Sequence, residues 1–221
     1  MVMEFFRKAE PGIDQIQRRV ITMLGDARHS FDLATDALLS ATPAEAVADD
    51  IRATDDRINL AEQELRSELV VHVSVRGAFD IGVVLGYTLL IKKIERIGDQ
   101  AKNILDLVEE GASFTDAADR SELLALRRTV SDLFGEVGEL LGNANVDNIQ
   151  DCRNRAYQIR YDCESKVREC MHSDRPGHEA VPRAIFYRYL KRIVANLAGV
   201  LTSATEPIQP QDAGSTDITD D

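Results

Sequence analysis

The chain has 221 residues, of which 44% are hydrophobic, 29% charged and 5% aromatic, and it contains no Trp. This length can bury a sizeable core in one or two small domains, and the composition excludes collagen, disulfide scaffolds and wholly disordered chains. The 38 acidic and 26 basic residues give a net charge of −12. Such a surface repels a phosphate backbone, so we expect no nucleic-acid partner.

The sequence predicts neither a signal peptide nor a membrane span. Residues 1–19 lack a continuous apolar stretch with a small-residue cleavage site. The longest apolar run, residues 83–91, is far shorter than the roughly 20 residues that a bilayer requires. Cys152, Cys163 and Cys170 form no Cys-x-x-Cys pair, and we interpret them as reduced core thiols, with a redox or metal role as the alternative. We therefore expect a cytoplasmic protein.

Apolar residues recur at spacings of three and four along most of the chain, which is the period of an α-helix. The low aromatic content also favours helices over sheets. Six apolar stripes follow this period, at residues 13–38, 47–69, 79–110, 123–140, 149–170 and 186–204. The sequence therefore predicts an all-α protein.

Breaks between the stripes divide the six helices into two sets of three. Gly111 is a natural end for the third helix, and the heptad-like spacing favours near-parallel helix packing. We predict a tandem repeat of two three-helix bundles, one over residues 10–111 and one over residues 116–205. Residues 206–221 are rich in Pro, Gly, Ser, Thr and Asp, and are predicted to be a disordered acidic tail.

The first half of the third helix is nearly all apolar, so this helix is predicted to be the central, most buried member of the fold. Gly77, Gly82 and Gly86 lie there at near-helical spacing. This spacing predicts close approach of a neighbouring helix, with a flexible hinge as the alternative.

Two rows of oxygen-bearing side chains are the sharpest local feature. The row on the third helix, at i, i+4 and i+8, consists of Glu95, Asp99 and Asn103. The row on the second helix, at i, i+4 and i+7, consists of Asp55, Asn59 and Glu62. Each spacing places its residues on one helix face. If the rows meet, they form an oxygen-rich site suited to Mg²⁺, Mn²⁺, iron or Zn²⁺.

Spacing alone also allows a simpler interpretation of the acidic rows. Acidic residues at i and i+4 are common on solvated helix faces. In that case Glu95 and Asp99 pair with basic neighbours such as Arg96 or Lys102, and no metal is bound.

The string at residues 94–104, IERIGDQAKNI, closely resembles the signature of the PhoU family, Leu-Glu-Arg-Ile-Gly-Asp-His-Ala-x-Asn-Ile. Asp80-Ile81 stands upstream in register with the Asp-Leu-Arg of that signature, and the row from Asp55 to Glu62 resembles the family's other acidic helix. The resemblance implies a tandem repeat of three-helix bundles over most of residues 10–205. It also raises the expectation of a metal cluster formed by the two acidic rows of the first repeat.

The second repeat resembles the family in shape but not in chemistry. Lys191, Ala195 and Gly199 stand where the family signature has Glu, Asp and Asn. A cation there would meet Lys191 and Arg160 instead of carboxylates. We therefore expect at most one metal centre, in the first repeat only.

The resemblance implies a regulator that binds partners and is not an enzyme. Members couple a phosphate ABC transporter ATPase to a sensor histidine kinase and restrain the phosphate-starvation response. The resemblance also implies a homodimer that reaches the membrane only through its partners. Gln100 stands where His is usual and Gly82 where Arg is usual, which marks a divergent member.

Two alternative functions remain open at this point. The lost second cluster favours an accessory regulator of another ion or phosphate transporter. The acidic rows favour a carboxylate-bridged metal-binding helical bundle, either a metalloenzyme or a metal store.

Overall fold

A computed structural model of the chain describes residues 11–40, 42–143 and 146–205. Over these ranges the chain forms six α-helices and one short 3-10 helix, and no strand. The elements are α1 (Pro11–Leu39), α2 (Ala44–Arg76), the 3-10 helix (Gly77–Asp80), α3 (Ile81–Glu109), α4 (Arg120–Gly142), α5 (Val146–Met171) and α6 (Gly177–Thr205). The all-α prediction is confirmed. The predicted acidic tail, residues 206–221, lies outside the described residues.

The helices form two sets of three around one hydrophobic core. Helices α1, α2 and α3 all contact one another, as do α4, α5 and α6. Between the sets, α3 packs on α6 and α1 packs on α4. Helices α2 and α5 are therefore the peripheral members. Since a single core cluster extends across both sets, the division at residues 10–111 and 116–205 stays a prediction.

The predicted apolar stripes form this core because their period places them on one side of each helix. On α1 the entire stripe from Ile13 to Leu38 is buried. Phe31 of α1 stacks on Phe134 of α4, with ring centroids 5.5 Å apart. No described helix has an apolar stretch long enough to cross a bilayer.

The connection between the two sets begins with a glycine at the end of α3, as predicted. Gly111 has a φ of +89°, which favours glycine, and the Ala112 N–H donates to the Leu107 carbonyl oxygen at 2.9 Å. The Phe114 N–H then donates to the Leu38 carbonyl oxygen at 2.9 Å. These bonds tie the connecting segment to the end of α1.

The first half of α3 is less buried than its composition predicts. Ile81, Leu85 and Leu89 are 51%, 44% and 49% exposed. Within the described structure α3 contacts α1, α2 and α6 and is therefore central, as predicted, but these contacts leave the stripe uncovered, so the helix is not buried on this side. The predicted close approach is also absent at Gly82, where an added Cβ would meet nothing within 4 Å.

The three cysteines are free thiols on α5. Cys152 and Cys163 are buried and Cys170 is half-buried. Burial raises the pKa of both Cys152 and Cys163 to about 12, so these thiols stay protonated at neutral pH. Such thiols are poor nucleophiles and poor metal ligands, which agrees with their interpretation as core residues.

A buried arginine joins α6 to the connecting segment. Nη1 of Arg183 lies 2.8 Å from both carboxylate oxygens of Asp119, and its guanidinium lies 4.8 Å from the centroid of the Phe114 ring. The side chains of Arg183 and Asp119 are 7% and 24% exposed, so this ion pair is largely shielded from water.

We expect Arg183→Met to lower the free energy of unfolding by about 2 kcal/mol, because Asp119 loses its charged partner in a shielded position. Urea denaturation measures the change. Arg175→Met is the matched control, since Arg175 meets Glu179 at 4.0 Å on the surface and is expected to change stability little. Equal losses in the two variants would contradict a special role for the buried pair.

Candidate functional site

The two acidic rows lie at the contact between α2 and α3. Gly98 brings the helices close, because a Cβ added there would lie 3.0 Å from Cδ1 of the fully buried Ile58. The α2 carboxylates of Asp55 and Glu62 are 8% and 7% exposed. Across from them on α3, Glu95 and Asp99 are half-buried. The two rows therefore lie next to each other.

A first group of charges forms at the level of Glu62 and Glu95. Nζ of Lys92 lies 2.8 Å from Oε2 of Glu95 and 3.6 Å from Oε1 of Glu62. Nη2 of Arg66 approaches the same Glu62 oxygen at 2.9 Å. Oε1 of Glu62 and Oε2 of Glu95 are buried, so these cations and not water offset their charge. These contacts neutralise both carboxylates.

A second group forms at the level of Asp55 and Asp99. Nζ of Lys102 lies 2.5 Å from Oδ2 of Asp55, and Nδ2 of Asn59 donates to the same oxygen at 3.5 Å. Burial raises the pKa of Asp99, and the nearby charges of Glu95 and Asp55 raise it further, against the opposing effect of Lys102. Asp99 is therefore the least well compensated carboxylate of the face. Asn103, half-buried, ends the α3 row.

Both lysines are held in their charged form. The hydrogen bond to Glu95 raises the pKa of Lys92, and the hydrogen bond to Asp55 raises the pKa of Lys102. Each ammonium thus acts as a fixed positive charge between a carboxylate of α2 and the acidic row of α3.

The donor set has the oxygen chemistry of a site for a hard cation, but the arrangement does not fit one as it stands. Lys92 and Lys102 take contact positions that a cation would need. Among residues 11–40, 42–143 and 146–205, no three Asp, Glu, His or Cys side chains are grouped closely enough to hold one ion. The metal site of Glu95, Asp99, Asp55, Glu62, Asn59 and Asn103 stays a prediction.

The simpler interpretation, that basic neighbours pair with the acidic rows, is partly correct. Lys102 is paired, but with Asp55 on the other helix. Glu95 pairs with Lys92, whereas Arg96 is exposed. Sequence reasoning missed Lys92 and Arg66, although the i, i+3 spacing of Lys92 and Glu95 was a signal for that pair.

The corresponding face of the second set carries a cross-helix ion pair. Lys191 of α6, at the position that matches Glu95, pairs with Glu164 of α5. Ala195 and Gly199 continue that row without charge. The partner of Lys191 is thus a carboxylate that the sequence analysis did not name, and the expected lack of a metal centre in this set stays a prediction.

The acidic face continues into an apolar patch toward the 3-10 helix. Residues 92, 89, 85 and 81 follow one another at helical spacing on α3, as do residues 62, 66 and 70 on α2. The exposed apolar residues on these stripes are Val70, Ile81, Leu85 and Leu89, which we call the apolar patch. One side of the α2–α3 pair thus has a charged half and an apolar half.

Comparison with known proteins gives a family match over α1 to α3. The family model described as the PhoU domain matches residues 20–108, a range that contains both acidic rows. No functionally curated protein matches the sequence.

The fold is also similar to that of solved structures. The structure of PhoU from Pseudomonas aeruginosa is 20% identical, with a TM-score of 0.75 over 87% of this chain and 95% of that chain. The phosphate transport system regulatory protein PhoU from Streptococcus pneumoniae is 14% identical, with a TM-score of 0.68 over 86% of this chain and 93% of that chain. At these identities the likeness concerns the fold alone.

We expect Gly98→Ala to be less stable than the parent, because its Cβ would press on Ile58 in a closed core. Gly82→Ala is the matched control, since the same change on the same helix meets open space and is expected to stabilise by about 0.5–1 kcal/mol through helix propensity. Thermal unfolding measures both. Equal stabilisation by the two alanines would contradict the close approach at Gly98.

Proposed function

Because residues 20–108 match the PhoU domain, we propose that the chain regulates phosphate uptake by coupling a phosphate ABC transporter ATPase to a sensor histidine kinase. In this role it restrains the phosphate-starvation response. The observation that carries the proposal is the signature string at residues 94–104 inside a matched PhoU domain. The proposal is for a binding protein, not an enzyme. It includes a homodimer in the cytoplasm that reaches the membrane only through the transporter.

The apolar patch is the surface that we assign to the transporter ATPase. Exposed apolar residues clustered beside charged ones are typical of protein-binding surfaces, where an apolar centre is surrounded by a polar rim. Here Leu85 and Leu89 supply apolar area, while Lys92 and Glu95 border it on the same stripe of α3. A helical face of this kind docks through anchors at helical spacing.

A second candidate is an accessory regulator of another ion transporter. The observation that favours it is the second set, where the lysine–glutamate pair of Lys191 and Glu164 replaces the family's acidic row. A different arrangement of charges on this face favours binding of a different partner.

Deletion of the gene tests the proposal. We expect a phosphate-responsive reporter to be switched on in phosphate-rich medium after deletion, and to be silenced again by the parent gene. The Leu85→Asp/Leu89→Asp variant is expected to fail to silence it and to lose binding to the purified transporter ATPase in a pull-down, because charges desolvated in an apolar interface weaken binding.

Tyr161→Asp/Val181→Asp is the matched control, since both residues are exposed and apolar but lie on α5 and α6. It is expected to act as the parent does. A reporter that does not respond to deletion would contradict the proposal. If uptake of another ion changed instead, the second candidate would take its place.

A further inference from the structure

The charged half of the α2–α3 face carries its own cations. We propose that Lys92 and Lys102 serve as built-in counter-ions of the acidic rows, so that the folded chain needs no metal there, and that their removal creates a divalent-cation site. The inference is independent of the proposed function, because it concerns only how this chain neutralises its own carboxylates.

The two lysines bracket the acidic residues of α3 in sequence and reach α2 in space. Lys92 stands three residues before Glu95, and Lys102 stands three residues after Asp99. Each ammonium also reaches a carboxylate of α2, Lys92 at 3.6 Å from Glu62 and Lys102 at 2.5 Å from Asp55. They therefore link the two helices electrostatically, as a bridging metal ion would.

The charges nearly balance without any bound ion. Four carboxylates lie on the face, and Lys92, Lys102 and Arg66 supply three positive charges at ion-pair distance. Carboxylates held this close ionise together only when cations offset their repulsion. Lys92 and Lys102 supply these cations from within the chain itself.

The geometry also explains why removing the lysines opens a site. Oε2 of Glu95 and Oε1 of Glu62 are buried, and Lys92 contacts them at 2.8 and 3.6 Å, so a chain without this ammonium leaves the Glu95 oxygen free to act as a ligand. Mn²⁺ and Mg²⁺ prefer such carboxylate oxygens. An ammonium beside the same oxygens excludes a divalent ion by occupying its place and by repulsion, and an uncharged side chain of similar shape does neither.

The experiment compares the parent with Lys92→Met/Lys102→Met, which keeps unbranched stems of good helix propensity. Melting temperatures are measured in excess EDTA and in millimolar MnCl₂, and bound Mn²⁺ is counted by equilibrium dialysis. The parent is expected to melt at the same temperature in both buffers and to bind no Mn²⁺. The variant is expected to melt lower in EDTA, to recover in MnCl₂ and to bind one ion per chain.

Two lysines outside the cluster are matched controls. Lys166 forms an i, i+3 pair with Glu169 at 2.9 Å on the surface, and Lys191 forms a cross-helix pair with one carboxylate, Glu164. Lys166→Met and Lys191→Met are expected to show no recovery in MnCl₂.

Two results would overturn the inference. One is stoichiometric Mn²⁺ binding by the parent that is lost in Glu95→Gln/Asp99→Asn. The other is a double-lysine variant that folds and binds no Mn²⁺. If the double variant does not fold, Lys92→Met alone is measured in the same way, since Lys92 contacts both Glu62 and Glu95, and the parent's response to EDTA and MnCl₂ still decides the first half of the inference.

Discussion

The contact between α2 and α3 depends on the neutralisation of four carboxylates. Asp55 and Glu62 are buried on α2, and an ionised carboxylate without a partner in such a place costs several kcal/mol. Lysine and arginine side chains reach them from α3 and from α2 itself, while Gly98 lets the backbones approach. Because α3 also packs on α1 and α6, this contact fixes where the peripheral helix α2 presents its charged and apolar surface.

In the second set of helices, the row on α6 carries no carboxylates that need to be neutralised. Its row on α6 has lost the acidic charges, and one pair between Lys191 and Glu164 remains. Gly199 stands where the family signature has Asn, and a Cβ there would lie 3.0 Å from Cδ of Lys93. The Lys93 side chain of α3 therefore occupies the space that a side chain at position 199 would fill.

The helices and their buried stripes could be predicted because the helical period is local. The stripe from Ile13 to Leu38 and the glycine end at Gly111 need only neighbouring residues to be recognised. Two features could not be predicted in this way. The exposure of Leu85 and Leu89 depends on which side of α3 other helices leave uncovered. The bridge from Lys92 to Glu62 depends on the register of α2 against α3, which spacing within one helix does not contain.

The most direct test of lysine bridging is a double-mutant cycle on Asp55 and Lys102, measured by urea denaturation in EDTA. For the substitutions Asp55→Asn and Lys102→Met, we expect a coupling free energy of at least about 0.5 kcal/mol, since the pair is half-shielded between two helices. The same cycle on the exposed pair of Lys166 and Glu169 is expected to give a smaller value. A coupling of zero between Asp55 and Lys102 in EDTA would contradict the claim that the lysines, without a metal, hold α2 to α3.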